Sequence, residues 1–464
     1  MVCLRVKIVV SLGPSSSSFD VVASMLREGV SGFRINLAHG GLGDWVKMVK
    51  LVRDAESLVG GCASVIVDVR GPSLRLGDFP GVVSVSAGSF VEFCVSGFSA
   101  EVPRIPFPHE EVFESVSVGD LLVMDDGRAR FRVVEVSGDC FRAQALTSCE
   151  LRQRKNVVFP DREFRGRYLT SEDVEALKSL CREGIDYVDA SLVRSVEDVK
   201  ELRDYLSSIE CGALVMSKIE TKEAVKNLSE VIEASDAVLV ARGDLGMNFG
   251  LEEVPILQKT IVETSHKVGK PVVVATQLLE SMINNPVPTR AEVSDVANAV
   301  LEGVDALMLT GETAVGKYPV EAVKWLRKIA ERAESLYKPT TQRTTEHLKK
   351  SLKKRYAKGV TELAEDLGGV LAIYSMKGTT VFTVASLRPR IHYYVGVPTK
   401  EIARKLSIVW GANVKVIEAS NYVEGLEKLY NNLVGSGELK KGDLVVLTYG
   451  LRDKEQVIKV RLVE

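Results

Sequence analysis

Lys218 and Glu220 close the apolar run "ALVMSKIE", and Asp244 closes the next one, "DAVLVARGD". In an extended strand a two-residue step returns to the same face, so the lysine and the glutamate point the same way. Carboxylates at the ends of two consecutive runs can converge on one hard cation. Mg2+ is commonly held by one or two carboxylates, with water and substrate oxygens completing its shell. A lysine beside such a cation is a positive charge suited to a phosphoryl group in transfer. Other runs end in the same manner: Arg34 and Asn36 in "FRIN", Asp68 and Arg70 in "VDVR", Thr276 and Gln277 after "VVVA", and Glu312 after "LMLTG". Rim salt bridges would explain any single one of these residues. They explain poorly two candidate metal ligands, a lysine and an arginine gathered at the ends of one set of runs. The pattern implies a metal-dependent enzyme acting on an anionic substrate.

The runs that carry these residues span 6–13, 32–37, 64–69, 185–193, 213–218, 236–241, 271–276 and 305–310. Continuous β-branched runs suit strands buried on both faces, as in a parallel sheet with helical crossovers. Amphipathic segments such as "SFDVVASMLREG" and "TRAEVSDVANAVLEG" follow most of them and stop at Gly, a helix C-terminal signal. Eight such units predict an α/β fold built on a closed (β/α)8 TIM barrel, where chemistry sits at the C-terminal strand ends. Residues 1–70 and 161–337 are assigned to the barrel. Residues 71–160, rich in Val, Ser, Gly and Pro, alternate in short runs such as "VVSVS" and "ARFRVVEVSG" and predict an inserted small β-barrel lid domain. The stretch "LYKPTTQRTTEHLKKSLKKRY" is read as a linker plus a helix. Residues 338–464 complete the chain as a C-terminal open α/β domain, its strands "GGVLAIYS", "IHYYVGV", "ANVKVIEAS" and "DLVVLTYG" alternating with helices.

At 464 residues the chain is long enough for several domains. A hydrophobic content of 45% with 26% charged residues suits a globular interior. A formal net charge of −2 leaves no electrostatic footprint for nucleic acid. No apolar run approaches the ~20 residues that span a bilayer, so no membrane partner is expected. Seven cysteines, an odd number with no CxxC pair, are read as reduced, incidental thiols in a cytoplasmic protein.

Taken in order, "KIVVSLGPSS", "FRINLAHG", "DVRGP", "SKIE", "SDAVLVARGDLG", "GKPVVVATQLLESMINNPVPTRAEVSDVANAV" and "DALMLTGETAVGKYP" resemble pyruvate kinase across most of the barrel. The inserted segment resembles the family chiefly through "MDDG" and "KNVVFP", and the C-terminal domain more in layout than in wording. The resemblance implies transfer of the phosphoryl group of phosphoenolpyruvate to ADP, giving pyruvate and ATP, with Mg2+ or Mn2+ as cofactor. It implies that Glu220 and Asp244 hold the divalent metal and that Arg34 and Lys218 clamp the phosphoryl group. Thr276 would lie on the face where the enolate is protonated, and the amides of Gly243 and Asp244 would meet the substrate carboxylate. Asn36 and His39 would lie toward the nucleotide, and Lys155 would approach its phosphates as the lid closes. By themselves His39 and Lys155 read as an ordinary structural histidine and a solvated charge. A metal-dependent lyase or mutase of the phosphoenolpyruvate/pyruvate class on the same barrel is the alternative, and a non-catalytic barrel retained for binding is a third. The first leaves the lid and Lys155 without a role, and the second leaves the full set of strand-end residues without one.

The family seats K+ with side chains of Asn, Ser and Asp plus a backbone carbonyl. Asn36, Asp68 and the carbonyl of Val69 stand at three of these positions, but Ala38 replaces the serine. Ser73 replaces the glutamate that accompanies K+ dependence, and Arg70 brings a permanent positive charge nearby. K+ is therefore expected not to be required. In "YSMKGTT", the residues Ser375, Lys377, Gly378, Thr379 and Thr380 precede a helical run; they make either a phosphate site or an ordinary turn. The loop resembles the place where regulated family members bind a phosphorylated effector, and family members are commonly homotetramers.

Overall fold

The computed structural model describes residues 4–100, 103–125, 127–160, 162, 164, 167–336, 351–450 and 456–464. Eight parallel strands close into a barrel: Lys7–Ser11, Val30–Asn36, Ser64–Asp68, Tyr187–Ala190, Leu214–Ile219, Ala237–Ala241, Val272–Ala275 and Ala306–Leu309. Each of the eight expected runs overlaps one of them, with Val30–Asn36 starting two residues early and Leu214–Ile219 ending one residue late. Their residues are almost all buried, because helices cover the outside and side chains fill the inside. Helix signals in the sequence act as expected. The helix Arg290–Glu302 begins at Thr289, whose hydroxyl accepts the Glu292 N–H while the Glu292 carboxylate accepts the Thr289 N–H at 2.7 Å. It stops at Gly303, where φ is +85°.

Between the third and fourth barrel strands the chain forms a seven-stranded sheet with a two-stranded companion. The order across the larger sheet is Leu74–Arg75, Asn156–Val158, Leu121–Met124, Ala129–Ser137, Cys140–Ala145, Phe90–Cys94 and Arg104–Pro106. Most pairs are antiparallel, but Phe90–Cys94 and Arg104–Pro106 run parallel. Phe93, Phe107, Phe131 and Phe141 fill its core.

In the C-terminal sheet four parallel strands, Ala412–Val416, Tyr393–Val397, Val370–Tyr374 and Leu444–Tyr449, are joined by an antiparallel edge strand, Ile458–Leu462. That fifth strand was not among the sequence expectations. The residues 337–350 of the predicted linker lie outside the described residues, and its helix is Leu352–Asp366. The segment after the helix Lys400–Leu406 closes the bottom of the barrel. Ile408 joins Val9, Ile66, Tyr187 and Met216 in the barrel interior. A Cβ at Gly32 would meet the Ile408 side chain at 3.2 Å, so only a glycine leaves this plug its full room. Arg388 pairs with Asp305 at 2.6 Å, and Trp410 donates its backbone N–H to the same carboxylate, tying the two domains together.

The cysteine expectation is overturned. Cys94 is bonded to Cys140, and Cys181 to Cys211. Cys94 and Cys140 face each other on neighbouring antiparallel strands with Cα atoms 4.1 Å apart, a geometry that residues 46 positions apart do not announce. Cys62 and Cys149 remain thiols. No helix among the described residues is long and apolar enough to cross a membrane.

Candidate active site

Five charged residues meet at the C-terminal ends of consecutive barrel strands. Arg34, from the second strand, forms an ion pair with Asp68 of the third and donates to Ser11 Oγ at 2.9 Å. Its Nε lies 3.9 Å from Asp189 of the fourth strand. Lys218, from the fifth, donates to Ser191 Oγ at 3.0 Å and stands 3.4 Å from Glu220 Oε2 and 3.8 Å from Asp68 Oδ1. Ser191 Oγ in turn donates a hydrogen bond to Asp68 Oδ1 at 2.8 Å. The result is a buried layer in which each cation touches more than one carboxylate.

Electrostatics in this layer follow from burial opposed by charge. Burial works against the ionised forms of Arg34 and Lys218, yet Asp68 and the other carboxylates outweigh it and raise the pKa of both above the ordinary value. Burial also opposes ionisation of Asp68, but Arg34 and Lys218 hold its carboxyl below the usual range. For Glu220 burial wins, and its carboxyl is pushed up to about 8. Asp189 is pushed up to about 8 by burial and the neighbouring Asp68.

Glu220 Oε1 accepts the N–H of Leu192 at 2.6 Å, while the buried Oε2 has no hydrogen-bond partner. Asp244 sits in the first turn of the helix Arg242–Phe249, which starts where the sixth strand ends. Asn248 fixes the two carboxylate-bearing segments together by donating to the carbonyls of Glu220 (2.8 Å) and Asp244 (3.1 Å). A buried carboxylate oxygen that accepts no hydrogen bond, beside a second carboxylate, fits a divalent cation. Glu220 and Asp244 are the two protein ligands this donor set would offer. Among the described residues no group of three or more His, Cys, Asp or Glu is gathered as a metal cage. A two-carboxylate Mg2+ site that relies on water and substrate oxygens would not form one.

Thr276 follows the seventh strand with φ +70°, a costly conformation for a β-branched residue. Two contacts hold it there. The Arg242 guanidinium grips its carbonyl at 2.5 and 3.0 Å, and its hydroxyl accepts the N–H of Gly243 at 3.0 Å. Asn36 Oδ1 accepts the N–H of Ala38 at 2.9 Å, and the Val69 N–H donates to the Asp189 carbonyl at 3.1 Å. His39 accepts from the Trp45 indole through its carbonyl; burial and then Arg75 hold its imidazole below the ordinary range. Lys155 lies in the inserted domain in an ion pair with Asp125. Glu312, one of the polar strand ends, is a structural pin: its carboxylate accepts the N–H groups of Leu279 (2.9 Å) and Thr310 (2.8 Å). Ser375, Lys377 and Gly378 follow the C-terminal strand Val370–Tyr374, where Ser375 Oγ accepts the Gly378 N–H at 3.1 Å, and Thr379 and Thr380 open the helix Thr379–Ser386.

Sequence reasoning missed Asp189, Ser191, Arg75 and Asn156. Asp189 shares the two-residue parity of the other inward residues, in "YVDAS", and an aspartate inside a buried run was the available signal. Arg75 lies on the first strand of the inserted domain among the charges of Arg70, Asp244 and Asp68, and burial with Arg70 lowers its pKa. Asn156, also from the inserted domain, donates to Asp244 Oδ1 at 3.4 Å.

A family model described as "Pyruvate kinase, barrel domain" matches residues 3–323, and one described as "Pyruvate kinase, alpha/beta domain" matches residues 354–460. The chain belongs to the pyruvate kinase family. A protein named pyruvate kinase from Pyrobaculum aerophilum is 42% identical over 98% of this chain and 96% of its own. One from Aeropyrum pernix is 40% identical over 92% of each. The crystal structure of pyruvate kinase from Pyrobaculum aerophilum superposes with a TM-score of 0.87 and 40% identity, covering 100% of both chains. The family's reaction is the activity of this chain: it moves the phosphoryl group of phosphoenolpyruvate to ADP, giving pyruvate and ATP.

Proposed function

We propose that this phosphoryl transfer depends on a divalent cation, Mg2+ or Mn2+, held by Glu220 and Asp244. The observation that supports this reading is the buried Oε2 of Glu220, which accepts no hydrogen bond although the Lys218 ammonium stands 3.4 Å away, at the strand end next to that of Asp244. When bound, the cation neutralises charge on the phosphoryl and enolate oxygens. Arg34 and Lys218 bind the phosphoryl group, and Lys218, kept protonated by its carboxylate neighbours, stabilises the charge in transfer. The N–H groups of Gly243 and Asp244, at the start of a helix, receive the substrate carboxylate, which takes the place of the Thr276 hydroxyl as acceptor. Thr276 then has its hydroxyl free on the face of the enolate, where it delivers a proton to carbon directly or through water.

Asn36, His39 and Lys155, with Arg75, bind the nucleotide. Residues 71–160 act as a lid that excludes water from the transfer, over a catalytic barrel of residues 1–70 and 161–337. Residues 338–464 serve regulation and assembly, with the loop of Ser375, Lys377, Gly378, Thr379 and Thr380 as a phosphorylated-effector site. That loop reading rests on its hydroxyls, its lysine and the helix it precedes; a thermal shift with sugar phosphates that is lost in Lys377→Ala supports it. K+ is not required, the assembly is a homotetramer, and the enzyme works in the cytoplasm, where phosphoenolpyruvate and ADP are made and used.

A coupled assay with phosphoenolpyruvate, ADP and Mg2+ tests the central reading. ATP and pyruvate are expected in equal amounts, with both lost on chelation and restored by Mg2+ or Mn2+. Turnover that persists in excess chelator rules out the divalent site.

A further inference from the structure

Asn156 is the lid residue that reaches the carboxylate pair. It stands on the strand Asn156–Val158, opposite Arg75 in register and next to Lys155. Its Nδ2 donates to Asp244 Oδ1 at 3.4 Å, across the gap between the inserted domain and the barrel. The other end of the same carboxamide is anomalous. Its Oδ1 is buried and has no hydrogen-bond partner. A buried amide oxygen left unmatched costs of the order of 1–3 kcal/mol, so a site that keeps one must gain from it elsewhere.

The two ends of an amide share one carbon, so the orphan acceptor belongs to the same carboxamide that touches Asp244. A donor arriving there would come with whatever Asp244 binds. The water molecules of a hard cation are strong proton donors, and Mg2+ and Mn2+ keep several of them. We propose that Asn156 is an outer-sphere positioning residue of the divalent site. Nδ2 orients Asp244, and Oδ1 accepts a hydrogen bond from a cation-bound water. This rests on the assignment of Glu220 and Asp244 as metal ligands. It adds a consequence for the lid: because Asn156 belongs to the inserted domain, the position of that domain and the affinity for the cation are coupled, each favouring the other. Asn248 holds the backbone of the ligands from the barrel side, and Asn156 holds the side chain of one of them from the lid side.

The test reads metal affinity without turnover. Mn2+ is titrated into the full-length protein with neither substrate present, and electron paramagnetic resonance of the free ion gives its dissociation constant. Partners of this kind typically change metal affinity by roughly 10–100-fold. Asn156→Ala and the volume-preserving Asn156→Leu are each expected to weaken Mn2+ binding by about tenfold or more, with thermal midpoints near that of the unaltered chain. If the alanine variant fails to fold, the leucine variant decides. Asn156 variants that bind Mn2+ as tightly as the unaltered chain, while Asp244→Asn weakens it, overturn the proposal and leave the metal ligands standing. Unchanged binding in Asp244→Asn overturns both.

Discussion

Gly243 donates its backbone N–H to the hydroxyl of Thr276, 3.0 Å away at the neighbouring strand end. The bond links the proposed carboxylate cradle to the proposed proton donor. It also helps to hold Thr276 at φ +70°, where few β-branched residues sit. Seating a carboxylate on the Gly243 N–H therefore releases the hydroxyl that is wanted for proton transfer.

Thr276→Ser keeps the hydroxyl, and should retain most of the activity. Thr276→Ala should lose it by roughly 10²-fold or more, the usual scale for a positioned acid–base group. The measurement is solvent deuterium exchange into the methyl group of pyruvate beside steady-state turnover. Equal exchange rates in the two variants would remove Thr276 from the proton path.

Lys218 is held by Ser191, Asp68 and Glu220 in a buried layer, so its charge is preorganised. Lys218→Met should slow phosphoryl transfer by roughly 10²-fold or more. Proton exchange of pyruvate should survive, because that step relies on Thr276 and the cation. A matching fall in both would make the lysine the proton donor instead.

Much of this site could be read before any coordinates, and the reason is physical. A parallel barrel strand is buried on both faces, so a polar residue at its end stands out against a continuous β-branched run, as Lys218, Glu220 and Asp68 do. Asp189 was overlooked because it sits within such a run and not past its end. Asn156 joins Asp244 from a distant part of the chain, and neither residue signals the other locally. The edge strand Ile458–Leu462 alternates exposed and half-buried positions with Lys459 and Arg461, so it lacks the apolar continuity of its neighbours. The disulfide Cys94–Cys140 escaped for a related reason: cross-strand pairing depends on register, and spacing along the chain does not reveal it.

His266 contributes to the pH dependence of stability. Burial and the Arg388 guanidinium, 2.7 Å from Nε2, push its pKa down to about 3, although Asp305 and the Gly303 carbonyl pull the other way. The folded value lies below the unfolded one near 6.5. This histidine's contribution is thus fully present above that value and is lost as pH falls toward about 3. Thermal midpoints of the unaltered chain should drop more steeply over this window than those of His266→Gln, which cannot titrate. Parallel curves would dissociate His266 from acid sensitivity.

K+ should add little. Ala38 offers no side-chain oxygen, Asn36 Oδ1 is already taken by the Ala38 N–H, and Asp68 is paired with Arg34. Substantial turnover is expected in buffer free of K+, Na+ and ammonium at constant ionic strength. Stimulation by an order of magnitude on adding K+ would restore the cation site.

The most direct test of the central claim is an Mg2+ titration of turnover in Glu220→Gln and Asp244→Asn, with circular dichroism run on the same samples. Each change removes one anionic oxygen from a cation that prefers charged oxygen donors, and leaves side-chain shape nearly intact. Activity is predicted to collapse at every Mg2+ concentration that saturates the unaltered enzyme, with an unchanged dichroism spectrum. Near-normal turnover at ordinary Mg2+ in either variant would contradict the account.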